Sequence, residues 1–74
     1  MIFAPVKSTN IHSVAYDPAA QILEVKFHGG GHHRYFDVSP RTHQDLVGAD
    51  SVGRFFVAHV RGQHRSEDMK KPKV

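Results

Sequence analysis

The chain has 74 residues, of which 39% are hydrophobic, seven are histidine and none is cysteine. This length limits it to one small domain with enough apolar content for a folded core. The lack of cysteine excludes disulfides, zinc–thiolate centres and thiol catalysis. No apolar run approaches the roughly 18 residues that span a bilayer, and the N-terminus does not resemble a signal peptide. We therefore expect a cytoplasmic protein with no membrane partner.

The net charge of +3 is concentrated at the C-terminus. Residues 61–74 hold five basic and two acidic side chains, whereas residues 1–60 hold equal numbers of each. A basic tail on a neutral body predicts attraction to polyanions through the tail, but the same composition is also typical of a segment that is simply solvated.

Two strands are predicted in the first part of the chain. Residues 1–10 show no clear period and are interpreted as a lead-in segment. The segment IHSVAY, residues 11–16, is rich in β-branched and aromatic residues and precedes the turn-forming sequence DPAA. In QILEVKFH, residues 21–28, apolar and polar side chains alternate strictly, which is the pattern of a half-buried strand.

A third strand follows a glycine-rich break. Three consecutive glycines interrupt the alternation, and HHRYFDV, residues 32–38, resumes an extended pattern. A strand, a glycine turn and a second strand predict a β-hairpin, which with the first strand makes a three-stranded antiparallel meander. In this third strand we expect Phe36 and Val38 to face the core, and His33 and Tyr35 to face solvent.

Two short helices are predicted next. Ser39 stands directly before a proline, so a capping hydroxyl precedes a residue that suits the first helical position, and the helix ends near Gly48. Asp50 or Ser51 then caps a second helix, whose apolar residues recur every three or four positions as far as about Arg61.

These elements predict an α+β fold, a three-stranded antiparallel meander followed by two short helices. The folded domain is expected to span residues 11–62. Residues 63–74 have no apolar period and are expected to be a flexible basic tail. Gly53, inside the first turn of the second helix, permits the close approach of another backbone segment.

The stretch FHGGGHHRYF, residues 27–36, is the first candidate for a functional site. Its glycines lead into a strand, whereas a phosphate-binding loop opens a helix, so a hairpin turn is the better interpretation. His28, His32 and His33 flank the turn, and imidazole suits divalent ions, but their spacing matches no structural zinc pattern. We predict no cofactor and no dedicated metal site, and keep adventitious or regulatory metal binding as a third hypothesis.

No catalytic arrangement is evident. Ser51 lies in no nucleophile motif, and Asp50 with Ser51 is fully accounted for as a helix cap. His59 falls on the apolar stripe of the second helix, where a packed histidine is the commoner case. We expect a protein that is not an enzyme.

Nucleic-acid binding is the leading functional hypothesis. The rings of His33 and Tyr35, on an outward strand face, could stack on unpaired bases, while Arg34 and Arg54 could contact phosphates. Three tail lysines would add non-specific attraction: Lys70, Lys71 and Lys73. The same surface could instead serve a protein–protein adaptor, and the sequence does not establish the oligomeric state.

The order of several motifs resembles that of the KTSC domain family. This family is named after the C-terminal region of some lysyl-tRNA synthetases and also occurs as short stand-alone bacterial proteins. The shared motifs are SVAYDP at 13–18, LEVKF at 23–27, YFDV at 35–38 and GRFFVAHVRG at 53–62. The resemblance covers about residues 6–64 and implies binding of RNA or tRNA, through the attachment of the domain to a synthetase.

Three positions depart from the usual pattern of that family. A central Tyr-x-Tyr reads His33-Arg34-Tyr35 in this chain, and His43 and His64 stand where aromatic residues are usual. A ring is kept at each place. Either stacking on a ligand survives with a titratable group added, or ordinary half-buried aromatic residues have become more polar.

Overall fold

The computed structural model describes residues 1–69, which form a five-stranded antiparallel sheet and two helices. The elements are β1 (Ala4–Pro5), β2 (Ile11–Asp17), β3 (Ile22–Phe27), β4 (His32–Tyr35), α1 (Pro40–Val47), α2 (Val52–His59) and β5 (Ser66–Asp68). The strands lie in the sheet in the order of the chain. The predicted α+β class is therefore confirmed, and the predicted meander is its central part.

The sheet has two more strands than the sequence predicts. β1 falls in the range expected to be a lead-in, residues 1–10, and pairs with β2. β5 falls in the range expected to be a flexible tail, residues 63–74, and pairs with β4. Strands of two and three residues are too short to show an alternating pattern, so periodicity could not reveal them.

The glycine stretch forms the predicted hairpin turn between β3 and β4. The amide of Phe27 donates to the carbonyl of Gly31 at 2.9 Å, and Gly30 has a φ of 97°, which favours glycine. A Cβ at Gly31 would lie 3.3 Å from the Phe27 ring. Two of the three glycines therefore have a specific structural reason, one conformational and one steric.

Both helices begin as predicted. The hydroxyl of Ser39 accepts a hydrogen bond from the amide of Thr42 at 3.1 Å, and the hydroxyl of Ser51 accepts one from the amide of Arg54 at 3.3 Å. Ser51, of the two candidates, is the cap of α2. These bonds satisfy amides that the first turn of a helix leaves without intrahelical partners.

The core lies between the helices and one face of the sheet. The cluster of buried residues is Ile11, Val14, Leu23, Val25, Tyr35, Val38, Leu46, Val52, Phe56 and Val60. Tyr35 is only 5% exposed, its ring meets that of Phe56 edge-on at 5.3 Å, and burial raises the pKa of its phenol. The expectation that Tyr35 faces solvent is therefore wrong.

The register of β4 explains this correction. Tyr35 pairs with Leu23, and directly opposed residues of antiparallel strands project to the same face. β4 ends at Tyr35, and Asp37 has a φ of 58°, so the alternation does not continue to Phe36 and Val38 as expected. Val38 is buried, but Phe36 is half-buried under the guanidinium of Arg65, 4.4 Å from its ring centre.

We expect Phe56→Ala to lower the free energy of unfolding by about 3–5 kcal/mol, because it removes a buried ring and leaves a cavity beside Tyr35. Val57→Ala, at a neighbouring position that is 54% exposed, should change it by less than about 0.5 kcal/mol. Urea unfolding followed by circular dichroism would measure both. Equal losses in the two variants would contradict this description of the core.

Candidate nucleic-acid interface

The two rings predicted to stack on bases lie on the helix-covered side of the sheet. His33 pairs with Val25, as Tyr35 does with Leu23, and the His33 and Tyr35 rings are stacked with centroids 6.3 Å apart. The His33 side chain is 35% exposed, and its Nε2 lies 4.0 Å from Asp68. His33 is therefore accessible only at a rim, and Tyr35 is not accessible as a stacking surface.

Arg34, another predicted contact, is engaged on the opposite face of the sheet. Its guanidinium donates two hydrogen bonds to Oε2 of Glu24, at 2.9 and 3.1 Å, and His32 Nε2 lies 2.7 Å from Oε1. We call Glu24, His32 and Arg34 the outer-face cluster. The Glu24 carboxylate is only 10% exposed, so this arrangement is a largely buried ion pair and leaves little of Arg34 for a ligand.

The environment of Glu24 has opposing effects on its pKa. Burial raises the pKa of the carboxyl, whereas the hydrogen bonds and positive charges of His32 and Arg34 lower it, and the net result is a pKa below the usual value. The carboxylate is thus held ionised by its partners.

The N-terminal segment covers part of the same outer face. The Phe3 ring meets the His32 ring edge-on at 5.5 Å, and Lys26 Nζ lies 4.1 Å from the centre of the Phe3 ring. Lys26 therefore makes a cation–π contact within the protein. The outer face is built from internal pairings and offers few cations without a partner.

The histidines that flank the glycine turn do not converge. His28 donates from Nε2 to the carbonyl of Ser8 at 3.1 Å, His32 contacts Glu24, and His33 lies near Asp68. Within residues 1–69, no group of three histidine, aspartate or glutamate side chains is placed to hold a metal ion. Each of the three histidines instead contacts a different part of the protein.

The segment from Lys7 to Asn10 is the first wall of a cleft beside α2. The Ser8 hydroxyl accepts hydrogen bonds from the amides of Asn10 and Ile11, both at 3.2 Å, which closes a tight turn. The amide of His28 donates to the carbonyl of Asn10 at 2.9 Å, and the His28 ring donates to Ser8. Four hydrogen bonds thus fix this turn against the hairpin.

Helix α2 forms the second wall. A Cβ at Gly53 would lie 3.4 Å from the Ser8 hydroxyl, so the helix and the turn approach closely at that point, as the glycine predicts. Between them lies a cleft of about 800 Å³, which we call the wide cleft. Lys7 and Arg54 line it with uncharged polar side chains, and Asp50 is its single carboxylate.

A smaller cavity continues the wide cleft towards the hairpin. This narrow cavity has a volume of about 320 Å³ and shares Gly53 and Val57 with the wide cleft. Arg61 and His28 lie at it, together with the ring of Phe27, and it has no carboxylate in its lining. Basic groups therefore follow the whole length of the combined cleft.

Three cations of this cleft lack acidic partners. Across the part of the chain that the structure describes, no carboxylate lies within 4.0 Å of a charged nitrogen of Lys7, Arg54 or Arg61. Of the predicted site residues, only Arg54 belongs to the cleft. The tail lysines Lys70, Lys71 and Lys73 lie outside the described residues.

The fold and the cleft together define a small α+β domain of one sheet, with two helices packed on one face and a basic cleft beside the second helix. The KTSC domain family matches residues 7–64, which is most of the chain. The chain belongs to the KTSC domain family.

Relatives and solved structures agree with this assignment. A protein of Tsukamurella paurometabola is 42% identical over 62 residues, covering 84% of this chain and 92% of the relative. A lysine–tRNA ligase of Nostoc punctiforme is 30% identical over 59 residues, covering 80% of this chain and 10% of the ligase. The crystal structure of a KTSC domain protein from Yersinia pestis is similar, with a TM-score of 0.89, 35% identity and coverage of 92% and 96% of the two chains.

The three histidines that replace the aromatic residues usual in this family are packed against the protein. All three are half-buried. The His43 ring stacks on Tyr16 at 4.3 Å, and its burial lowers its pKa, while His64 Nδ1 lies 2.9 Å from the carbonyl of Phe36. Their positions match the second interpretation, half-buried rings that have become more polar. No helix within residues 1–69 has the length and apolar character needed to cross a membrane.

The outer-face cluster predicts an acid-sensitive contribution to stability. Because the pKa of Glu24 is lower in the folded state than the ordinary 4.5, its stabilising effect is complete above about pH 4.5 and is lost as the pH falls through the folded-state pKa. Glu24→Gln should therefore be less stable than wild type at about pH 6 and lose less stability between about pH 6 and pH 3. Urea unfolding at both pH values measures the difference.

Asp45→Asn is the matched control for this experiment. Asp45 is exposed on α1 and accepts one hydrogen bond of 3.3 Å from Arg41, so its contribution should be small. Acid dependence in Glu24→Gln that equals that of wild type and of Asp45→Asn would show that Glu24 is not the group responsible.

Proposed function

We propose that this protein is a non-enzymatic module that binds RNA, with the sugar–phosphate backbone in the wide cleft beside α2. The observation that carries the proposal is the set of cations without acidic partners along the cleft, Lys7, Arg54 and Arg61, against the single carboxylate of Asp50. Phosphate contacts by lysine and arginine supply most of the non-specific affinity of proteins for nucleic acids.

The local excess of positive charge is notable because the rest of the domain is balanced. Residues 1–69 hold as many acidic side chains as lysines and arginines together. Most of the other cations face partners within the protein, since Arg34 pairs with Glu24, Arg41 with Asp45, and Lys26 and Arg65 lie over aromatic rings. The cleft is thus where a polyanion gains most from binding.

Uncharged groups of the cleft suit the same ligand. Ser8, Thr9 and Asn10 line the wide cleft beside Lys7 and can donate hydrogen bonds to phosphate or ribose oxygens. Their turn is held by hydrogen bonds to its own hydroxyl and to His28, so little conformational entropy is lost when a ligand is bound.

The relatives favour RNA over other polyanions. Two of them are named lysine–tRNA ligases, and the matched segment makes up 10% of each of those proteins. A domain of this kind attached to an enzyme that acts on tRNA supports an RNA ligand by association. The predicted sheet-face contacts are replaced in this proposal, because Tyr35 is buried and Arg34 is paired.

A protein–protein adaptor is the second candidate. Val47 and Val57 are 45% and 54% exposed, and Val47 lies with Ala4, Pro5 and Val6 at a separate cleft between β1 and the end of α1. Apolar contacts of this kind would bind with little dependence on salt. The cleft beside α2 is the larger charged feature, so we place RNA first.

We expect the double variant Lys7→Gln/Arg54→Gln to weaken binding of single-stranded RNA and to flatten its dependence on salt. Each phosphate contact removed should reduce the slope of log affinity against log salt by about 0.7 for a single strand. Fluorescence anisotropy with a labelled strand of about 12 nucleotides, at about 50 and 200 mM salt, measures both effects.

The control is Arg41→Gln, which removes one positive charge from α1 at a side chain that is 81% exposed and distant from the cleft lining. It should bind as wild type does apart from a small general effect of charge. Equal losses in Arg41→Gln and the double variant would refute a localised cleft. Absence of RNA binding at about 50 mM salt would refute the proposal and favour the adaptor.

A further inference from the structure

The narrow cavity differs in chemistry from the wide cleft that it adjoins. The wide cleft has a charged and polar lining, whereas the narrow cavity has Phe27, Phe56 and Val57 on its walls. Val57 is 54% exposed and Phe27 is half-buried, so apolar surface is open to a ligand there. An exposed aromatic and aliphatic wall inside a basic cleft is not needed for holding phosphate.

Polar groups stand at the same cavity without partners of their own. Within residues 1–69, the side-chain amide of Asn10 makes no hydrogen bond, although the backbone of Asn10 is bonded on both sides. An amide offers one acceptor and two donors, the combination that matches the edge of a nucleobase. Arg61 adds a planar guanidinium at the cavity and has no acidic partner in the same residues.

The size and position of the cavity limit what it can hold. About 320 Å³ is at the low end of the range for small-ligand pockets, which suits one flat ring system. Because the cavity meets the wide cleft at Gly53 and Val57, a ring placed in it would leave its ribose and phosphate facing Lys7 and Arg54.

We propose that the narrow cavity binds one unpaired nucleobase of the RNA strand whose backbone lies in the wide cleft, so this inference rests on the proposed function. The base contacts Phe27 and Val57 with its faces and Asn10 with its edge. A base in a duplex is paired and stacked, so it cannot enter, and the cavity makes the domain selective for single-stranded segments such as loops and ends.

Two probes separate the base from the backbone. One is a labelled single-stranded RNA of about 12 nucleotides, and the other is a strand of the same length with abasic sugars throughout. We expect wild-type protein to bind the normal strand about tenfold more tightly than the abasic strand, since stacking a single base contributes on that scale. Anisotropy titrations at about 50 mM salt give both dissociation constants.

Two variants test the cavity itself. Asn10→Ala removes the edge contact from an exposed side chain, and Gly53→Leu fills the passage between the cavity and the cleft while keeping every charge. Each should bring the affinity for the normal strand close to that for the abasic strand. Gln44→Leu, an exposed position on α1 outside the cleft, is the control for Gly53→Leu and should keep the tenfold preference. If Gly53→Leu proves unstable in a melting curve, Asn10→Ala decides alone.

The outcomes distinguish the two proposals. Equal binding of the normal and abasic strands by wild-type protein would overturn the base pocket and leave backbone binding intact. A preference that persists in Asn10→Ala and Gly53→Leu would also overturn it, because the base would then be bound elsewhere. Binding of neither strand would refute the proposed function, and the pocket with it.

Discussion

The pairing of Leu23 with Tyr35 across β3 and β4 sets which side chains of β4 meet the helices. The glycine turn fixes this pairing through the bond from Phe27 to Gly31 and the conformation of Gly30. A shift of one residue would place Arg34 against the helices and Tyr35 in solvent, which would bury an unpaired charge and expose a ring. The core and the outer-face cluster are therefore two consequences of one register.

Much of the fold follows from local patterns in the sequence. The alternation of β3, the glycine turn and the capping serines of both helices all led to the observed elements. β4 was placed correctly along the chain but with the wrong face, because HHRY has no apolar alternation and Phe36 and Val38 seemed to supply one. The φ of 58° at Asp37, which ends the alternation, leaves no clear mark in the sequence.

The cleft is harder to predict than the fold because three separated segments build it. The turn at residues 7–10, the hairpin loop at His28 and the helix α2 meet only after the sheet has formed. Arg54 could be named from sequence as an exposed helical cation, whereas Lys7, Asn10 and Arg61 belong to no motif. The polar run KSTN and the glycine at 53 were the available signals, and they indicate a cleft only when the two are placed side by side.

The short outermost strands restrict how another chain could attach to the sheet. β1 has two residues, one of them a proline without an amide hydrogen, and β5 has three. A strand added at either border would find only a few backbone partners, so lengthening the sheet across two molecules is a poor route to association. For a domain found both alone and inside a much longer ligase relative, this limits unwanted polymerisation and leaves its side-chain surfaces to mediate contacts.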